Sequence, residues 1–238
     1  MRDRLRDADR RGAVFVSLMG GVGDLVNAFP SVERLAAGHA VDMATGHDPY
    51  RALVAENPHV RRVYSPFVYK PIRRAHRRLI ERALGPFYAR VILLDEPDSG
   101  WRARARHMSA VYAERAGCPP PARGAVYLSK AGRERAAALL APLGADEYVF
   151  AVQPDILTLA ALIERASLYV GPDTGPTHIA AALGVPTVAI HLGYPPEVCG
   201  ALGDTVALVR QRRPLDDPAL ITPDDVLDAV ERLQVASK

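Results

Sequence analysis

"VGPDTGPTHIAAALGVPTVAI" (residues 170–190) contains a complete change of secondary-structure pattern within 21 residues. A short apolar run leads into Asp-Thr-Gly-Pro, a run of small helix-forming residues follows, and a second apolar run begins after Gly184. A strand, a turn, a helix and a strand in this order form a βαβ unit with two parallel strands. The stretch therefore predicts an α/β fold with its polar turn at the carboxyl end of a strand.

The same alternation extends along most of the chain. Apolar runs predict strands at residues 13–19, 40–45, 60–65, 89–97, 125–129, 147–152, 167–171, 185–190 and 205–209. Helical spacing predicts helices at residues 23–38, 48–57, 71–84, 101–116, 131–144, 155–166, 174–184 and 222–234. The stretch "GCPPPARG" (117–124) is typical of a domain edge. We predict two parallel-sheet blocks, 1–120 and 145–238, with 121–144 as a connecting segment.

Composition narrows the class of protein. Hydrophobic residues at 49% and charged residues at 24% are typical of a soluble globular protein. The apolar run at 13–19 is too short for the core of a signal peptide, and no run reaches the length of a membrane span. Cys118 and Cys199 lie far apart and form no metal-binding spacing. We expect a cytoplasmic protein with two free thiols and no bound metal.

The glycine turn "LMGGVGDLV" (18–26) follows the first predicted strand. Gly21 and Gly23 allow a ligand to approach the backbone, and the free N–H groups of the next helix suit an anion. The dinucleotide fingerprint is not met, because Val26 stands where its last glycine is required. Asp24 has two interpretations: it stabilises the helix N-terminus, or it faces a ligand at the sheet edge.

The turn after the strand at 167–171 has a second polar cluster. Asp173, Thr174, Gly175, Pro176 and His178 lie at the start of a helix. Its first N–H groups and the threonine hydroxyl would form a phosphate site without a lysine. The alternative is a local turn in which the histidine is partly buried and has no ligand.

Three segments resemble glycosyltransferase family 9, which includes the ADP-heptose:lipopolysaccharide heptosyltransferases. "GGVGDLVNAFPSVERL" (20–35) is similar to the N-terminal motif of that family, and residues 159–197 are similar to its C-terminal motif. "ITPDDVLDAVERL" (221–233) is similar to its closing helix. The resemblance implies the GT-B fold, in which two Rossmann-like domains face each other across a cleft. Residues 1–120 would bind the acceptor and 145–238 the nucleotide-sugar.

The resemblance also implies a reaction and roles for the polar residues. Family members transfer a heptose from an ADP-sugar to the lipopolysaccharide core, with inversion and with no required metal or other cofactor. Asp24 would be the catalytic base. The donor pocket would consist of Asp173, Thr174, Gly175, Pro176 and His178.

One part of the family pattern is missing. The predicted strand at 147–152 runs almost directly into the helix at 155, without the Pro-Gly loop and donor-binding lysine of the family. The donor domain is therefore shortened, and two functions stay open: a compact transferase, or a non-catalytic relative that binds a nucleotide-sugar or a partner protein. An incomplete sheet exposes strand edges, which favours a homodimer or another partner.

The basic stretch "KPIRRAHRRLIER" (70–82) predicts a positively charged helix face. Its face consists of Arg73, Arg74, Arg77 and Arg78. Such a face is either simply solvated or binds a phosphorylated glycolipid acceptor at the anionic inner membrane. No nucleic-acid recognition module accompanies the charge, so we expect no nucleic-acid partner.

Overall fold

The computed structural model describes residues 11–65, 67, 74–95, 106–141, 144, 154–211, 213 and 216–236. The strands are β1 (Val14–Leu18), β2 (Val41–Thr45), β3 (Arg62–Tyr64), β4 (Arg90–Leu93), β5 (Tyr169–Pro172), β6 (Thr187–His191) and β7 (Val206–Arg210). The helices are α1 (Val22–Ala36), α2 (Arg51–Ala55), α3 (Arg74–Leu84), α4 (Met108–Ala116), α5 (Lys130–Leu140), α6 (Ile156–Glu164), α7 (Gly175–Ala182), α8 (Pro196–Cys199) and α9 (Pro223–Ala236).

The described strands form two parallel sheets. The first has the order β3-β2-β1-β4, and the second has the order β5-β6-β7. Strands β1 and β2 are buried along their whole length, which explains why apolar residues occur on both of their faces. In each sheet all strands end at one edge, so the glycine turn and the 173–178 turn both lie at carboxyl edges.

A shared apolar core joins the two sheets. Helix α1 packs against α7, and α6 packs against α7 from the other side. Phe29 of α1 and Ile179 of α7 are fully buried in one cluster together with residues of β1 and α6. Burying a side chain of this size contributes about 1.5–3 kcal/mol to stability. The domain boundaries predicted from the sequence stay a prediction.

Two local predictions were wrong. Residues 125–128 form no strand: this segment is held by the Ala125 N–H, which donates to the Val26 carbonyl, and its side chains cover α1. The described part of the helix predicted at 101–116 begins at Met108, because His107 accepts from the Ser109 N–H and caps it, and residues 101–105 lie outside the described residues. The strand predicted at 147–152 lies outside the described residues. No helix in the described ranges has both the length and the apolarity needed to span a membrane.

The second sheet is covered unevenly on one face. Helix α9 packs on β7 and β6, where Val188 and Val209 are buried with Leu233. Val170 of β5 lies in register with Val188, yet its residue is 43% exposed. Homodimer formation stays a prediction.

Candidate active site

Asp24 lies in the first turn of α1, at the carboxyl edge of the first sheet. Its Oδ2 accepts a hydrogen bond from the Gly21 N–H at 2.7 Å, and its Oδ1 accepts one from the Tyr112 hydroxyl at 2.9 Å. Each carboxylate oxygen has further lone pairs, and the side chain is partly exposed. The two donors thus fix the orientation of the carboxylate while leaving it accessible to a substrate.

Tyr112 is a buried residue of α4 and was missed by the sequence reasoning. Burial, together with the neighbouring Asp24 carboxylate, raises the pKa of Tyr112 well above its usual value. The hydroxyl therefore stays protonated at neutral pH and acts as a hydrogen-bond donor. The structure identifies Tyr112 as a residue that orients Asp24.

The 173–178 turn connects β5 to α7. Thr174 is exposed, and its hydroxyl donates to the Pro172 carbonyl at 3.3 Å instead of capping the helix. The start of α7 therefore has no side-chain cap. An uncapped helix N-terminus carries a partial positive charge and suits an anion.

The two turns contact each other directly. A Cβ atom added at Gly23 would lie 2.6 Å from His178 Cδ2, and one added at Gly175 would lie 2.7 Å from Val22 Cβ. Only glycine permits this approach at either position. Asn27, one turn after Asp24 on α1, places its Nδ2 3.4 Å from His178 Nδ1. The structure therefore brings Asp24 and the 173–178 turn to one place, as the sequence predicted.

Asp173 is the centre of a polar cluster. His178 Nε2 lies 3.4 Å from Asp173 Oδ1, and His191 Nδ1 lies 3.4 Å from Oδ2. The Cys199 thiol also donates to Oδ2 at 3.7 Å. Burial tends to raise the pKa of Asp173, but His178, His191 and the thiol outweigh it and lower this pKa below its usual value. Asp173 is thus an anion that orients the two imidazoles.

His107 connects the first half of the chain to this cluster. Its Nε2 contacts the Gly200 carbonyl at 2.9 Å, next to the end of α8. Burial lowers the pKa of His107, and the nearby His178 adds to this effect, whereas the Gly200 carbonyl opposes it. Burial also lowers the pKa of His191, against the opposing effect of Asp173. Both imidazoles are therefore held in the neutral form.

The buried imidazoles predict an acid-sensitive fold. Below about pH 6.5 the unfolded chain binds protons on His107 and His191 more readily than the folded chain does. The free energy of unfolding therefore decreases as the pH is lowered. Each histidine contributes at most about 1.4 kcal/mol per pH unit. We expect His107→Asn, in which the amide oxygen replaces the capping Nδ1, to make this fall less steep in urea unfolding between about pH 7.5 and 5.

Exposed His39 provides the matched control for that measurement. His39→Asn is expected to leave the dependence of unfolding free energy on pH unchanged. Equal slopes for the wild type and His107→Asn would show that burial of His107 does not oppose its protonation.

The predicted basic face is only partly described. Arg77 donates from Nη1 to the Asp95 carbonyl at 2.6 Å and from Nη2 to the Leu93 carbonyl at 3.1 Å, so it lies at the carboxyl end of β4. Arg78 is exposed on α3. Arg74 is the first residue of α3, and Arg73 lies outside the described residues. The acceptor role of these arginines stays a prediction.

Several polar residues of the site could have been found from sequence position. Asn27 lies three residues after Asp24 and therefore on the same helix face. His191 ends β6, beside the strand that leads to Asp173. Tyr112 and His107 come from a distant segment and have no local signal. Among the described residues, no group of three or more His, Cys, Asp or Glu side chains has an arrangement that could hold a metal ion.

Residues 124–217 match the family model described as glycosyltransferase family 9 (heptosyltransferase). This part of the chain is therefore similar to glycosyltransferase family 9. The recognition made from the motifs is therefore confirmed, and the matched range includes the whole 173–178 turn. No protein of curated function matches the chain in sequence.

Solved structures of family 9 glycosyltransferases share this fold. A family 9 glycosyltransferase from Veillonella parvula has a TM-score of 0.70 at 13% identity, over 95% of this chain and 98% of that one. The ADP-heptose LPS heptosyltransferase II of E. coli has a TM-score of 0.61 at 15% identity, over 94% and 99%. E. coli heptosyltransferase WaaC with ADP has a TM-score of 0.60 at 15% identity, over 93% and 99%. The predicted GT-B-like α/β fold is confirmed.

Proposed function

We propose that this protein is a family 9 glycosyltransferase that transfers a heptose or a similar sugar from an ADP-sugar to a hydroxyl group of a lipopolysaccharide-core acceptor. The contact between Gly23 and His178 carries the proposal, because it brings the Asp24 turn against the uncapped start of α7. The structural neighbours include WaaC with ADP and the E. coli heptosyltransferase TibC with ADP-D-β-D-heptose. These ligands agree with a nucleotide-sugar donor for this chain.

Asp24 supplies the base in the proposed reaction. Its carboxylate, oriented by Gly21 and Tyr112, takes the proton of the acceptor hydroxyl as that oxygen attacks C1 of the sugar. The bond from C1 to the diphosphate oxygen breaks as the new bond forms on the opposite face. A single displacement of this kind inverts the configuration at C1.

The start of α7 receives the charge of the leaving diphosphate. Thr174 and the Gly175 N–H lie at the positive end of the helix, and oriented dipoles stabilise developing negative charge without having to reorganise. Asp173 holds His178 beside this position. In this proposal the helix and these side chains stabilise the charge of the leaving diphosphate, and no metal ion or other cofactor takes part.

The acceptor side of the proposal uses the basic face of α3. Arg73, Arg74, Arg77 and Arg78 would bind the phosphates of a glycolipid, and each basic residue near an anionic membrane contributes about 1 kcal/mol to binding. Arg77 already lies at the edge of the sheet that carries Asp24. The protein would then work at the cytoplasmic face of the membrane.

A non-catalytic nucleotide-sugar-binding protein is the second candidate. The observation that favours it is the shortened donor half, in which Lys238 is the only lysine after residue 145. A donor site without a lysine relies more strongly on the helix dipole and on uncharged donors. Such a site would still bind a nucleotide-sugar, but with less stabilisation of the leaving group.

Calorimetric titration tests the donor site. We expect saturable binding of ADP and ADP-heptose to the purified protein, and loss of both in a Thr174→Val, His178→Ala double variant. Binding without transfer to any lipopolysaccharide-core acceptor would favour the second candidate. No binding at millimolar ligand by folded protein would reject both nucleotide-sugar functions.

A further inference from the structure

Asn27 is a buried polar residue of α1 that contacts the donor half of the proposed site. It is 2% exposed and lies among mostly apolar buried residues of the helix. Its Nδ2 lies 3.4 Å from His178 Nδ1, across 151 positions of the chain. Asn27 follows Asp24 by three residues, so one face of α1 carries both side chains. The helix that carries the proposed base therefore also contacts the 173–178 turn through a polar side chain.

The His178 imidazole has little freedom in this position. It is 7% exposed, and a Cβ atom added at Gly23 would lie 2.6 Å from its Cδ2, so this edge of the ring packs on the glycine backbone. Its Nε2 lies 3.4 Å from Asp173 Oδ1. A half-turn of the ring about the Cβ–Cγ bond would exchange Nδ1 with Cδ2 and Nε2 with Cε1, and both nitrogens would lose their contacts. The contact with Asn27 therefore favours the ring orientation in which Nε2 faces Asp173.

The same two contacts define where the ring carries its proton. Asp173 is held as an anion, and a carboxylate only accepts hydrogen bonds, so Nε2 of His178 is the donor. The Asn27 Nδ2 only donates, so Nδ1 of the ring is the acceptor. This arrangement needs one proton on the ring, whereas the reversed amide would need a proton on each nitrogen. Asn27 thus stabilises the tautomer that is protonated on Nε2.

The oxygen of the Asn27 amide shows that this contact is the main reason for a polar residue here. Oδ1 is buried and has no hydrogen-bond partner among the described residues. A buried acceptor without a partner lowers stability, and reversing the amide would leave the Nδ2 donors in that position instead. Within the described part of the chain, the side chain makes a single hydrogen bond, the one to His178. The buried amide is therefore explained by His178 and not by the packing of α1.

We propose that Asn27 is a positioning residue of the donor site, which fixes both the orientation and the tautomer of His178. It is buried and acts through the imidazole, without touching a substrate. The proposal rests on the proposed function, because His178 takes part in the reaction only if the 173–178 turn binds the diphosphate. One helix then carries the base for the acceptor and also orients the histidine of the donor side.

Nitrogen NMR of the imidazole rings tests the tautomer without any ligand. The His178 signals are identified by their absence in His178→Ala. In the wild type we expect a protonated Nε2 and an unprotonated Nδ1. In Asn27→Asp, which has nearly the same shape but only accepts hydrogen bonds, we expect Nδ1 to gain a proton. A protonated Nδ1 in the wild type, or identical His178 signals in the wild type and Asn27→Asp, would overturn the proposal.

ADP titration tests the effect on the donor site. We expect Asn27→Leu to weaken ADP binding about five- to tenfold, because the ring is no longer held in one orientation. In a His178→Ala background that keeps Thr174, the same change is expected to alter ADP affinity by less than about twofold. An equal loss in both backgrounds would overturn the proposal, since Asn27 would then act on packing and not through His178.

Ser31→Ala is the matched control for both measurements. Ser31 is buried on the same helix four residues later, and its Oγ has no hydrogen-bond partner among the described residues. We expect this change to leave ADP affinity and the His178 signals unaltered. The nearly isosteric Asn27→Asp keeps the test valid if Asn27→Leu fails to fold. If the wild type binds no ADP, the proposed function fails, and the nitrogen signals still decide whether Asn27 sets the tautomer.

Discussion

Asp24→Asn is expected to reduce the rate of sugar transfer about a thousandfold while ADP binding is preserved. The amide has nearly the shape of the carboxylate, and its oxygen still accepts from one of the two donors, Gly21 or Tyr112. It cannot take a proton from the acceptor hydroxyl. The defect should therefore appear in kcat with little change in donor affinity.

The assay measures ADP release and transferred sugar with a lipopolysaccharide-core acceptor. Asp228→Asn, at an exposed position on α9, is the matched control and is expected to retain full activity. Full activity in Asp24→Asn would remove Asp24 from the mechanism. Loss of ADP binding in Asp24→Asn would instead indicate a structural role for this carboxylate.

Gly23→Ala is expected to lower ADP affinity at least about tenfold and the free energy of unfolding by about 1–3 kcal/mol. The added methyl would lie 2.6 Å from His178 Cδ2 and 2.9 Å from Nε2, far inside normal contact. His178 must then move away from Asp173, and the start of α7 moves with it. Both the donor site and the packing of α1 on α7 are affected.

Gly38→Ala is the control for that prediction, because no atom lies within 4 Å of a Cβ built at Gly38. Adding His178→Ala to Gly23→Ala should restore part of the lost stability, since it removes the clashing ring. Gly23→Ala could instead match Gly38→Ala in the free energy of unfolding and in ADP affinity. In that case the contact between the two turns contributes neither to stability nor to ADP binding.

Local sequence was sufficient for most of the architecture. Strands such as β1 and β6 are mostly apolar because parallel strands are covered on both faces. The position of Asp24 and Asp173 at carboxyl edges followed from the order of strand and turn alone. The family resemblance implied one reaction for the two edges; the structure places Gly23 against His178, and the roles of the residues in a reaction stay a proposal.

Tertiary contacts explain what local patterns missed. Residues 125–128 have the β-branched and aromatic composition of a strand, yet they pack on α1 and pair with no sheet. Tyr112 lies 88 residues from Asp24, and His107 lies 93 residues from Gly200, so no spacing rule connects either pair. The helix at 108 begins where a histidine caps it, and histidine is not among the preferred capping residues.

The shared core limits which halves of the chain can be exchanged between proteins. Helix α1 belongs in sequence to the first sheet, but its buried face forms part of the core beneath α7 of the second. Replacing the second half would change the side chains that pack against Phe29 and its neighbours in this core. We therefore expect a hybrid of this first half with the second half of another protein to lose stability unless the residues of the shared core are exchanged with it.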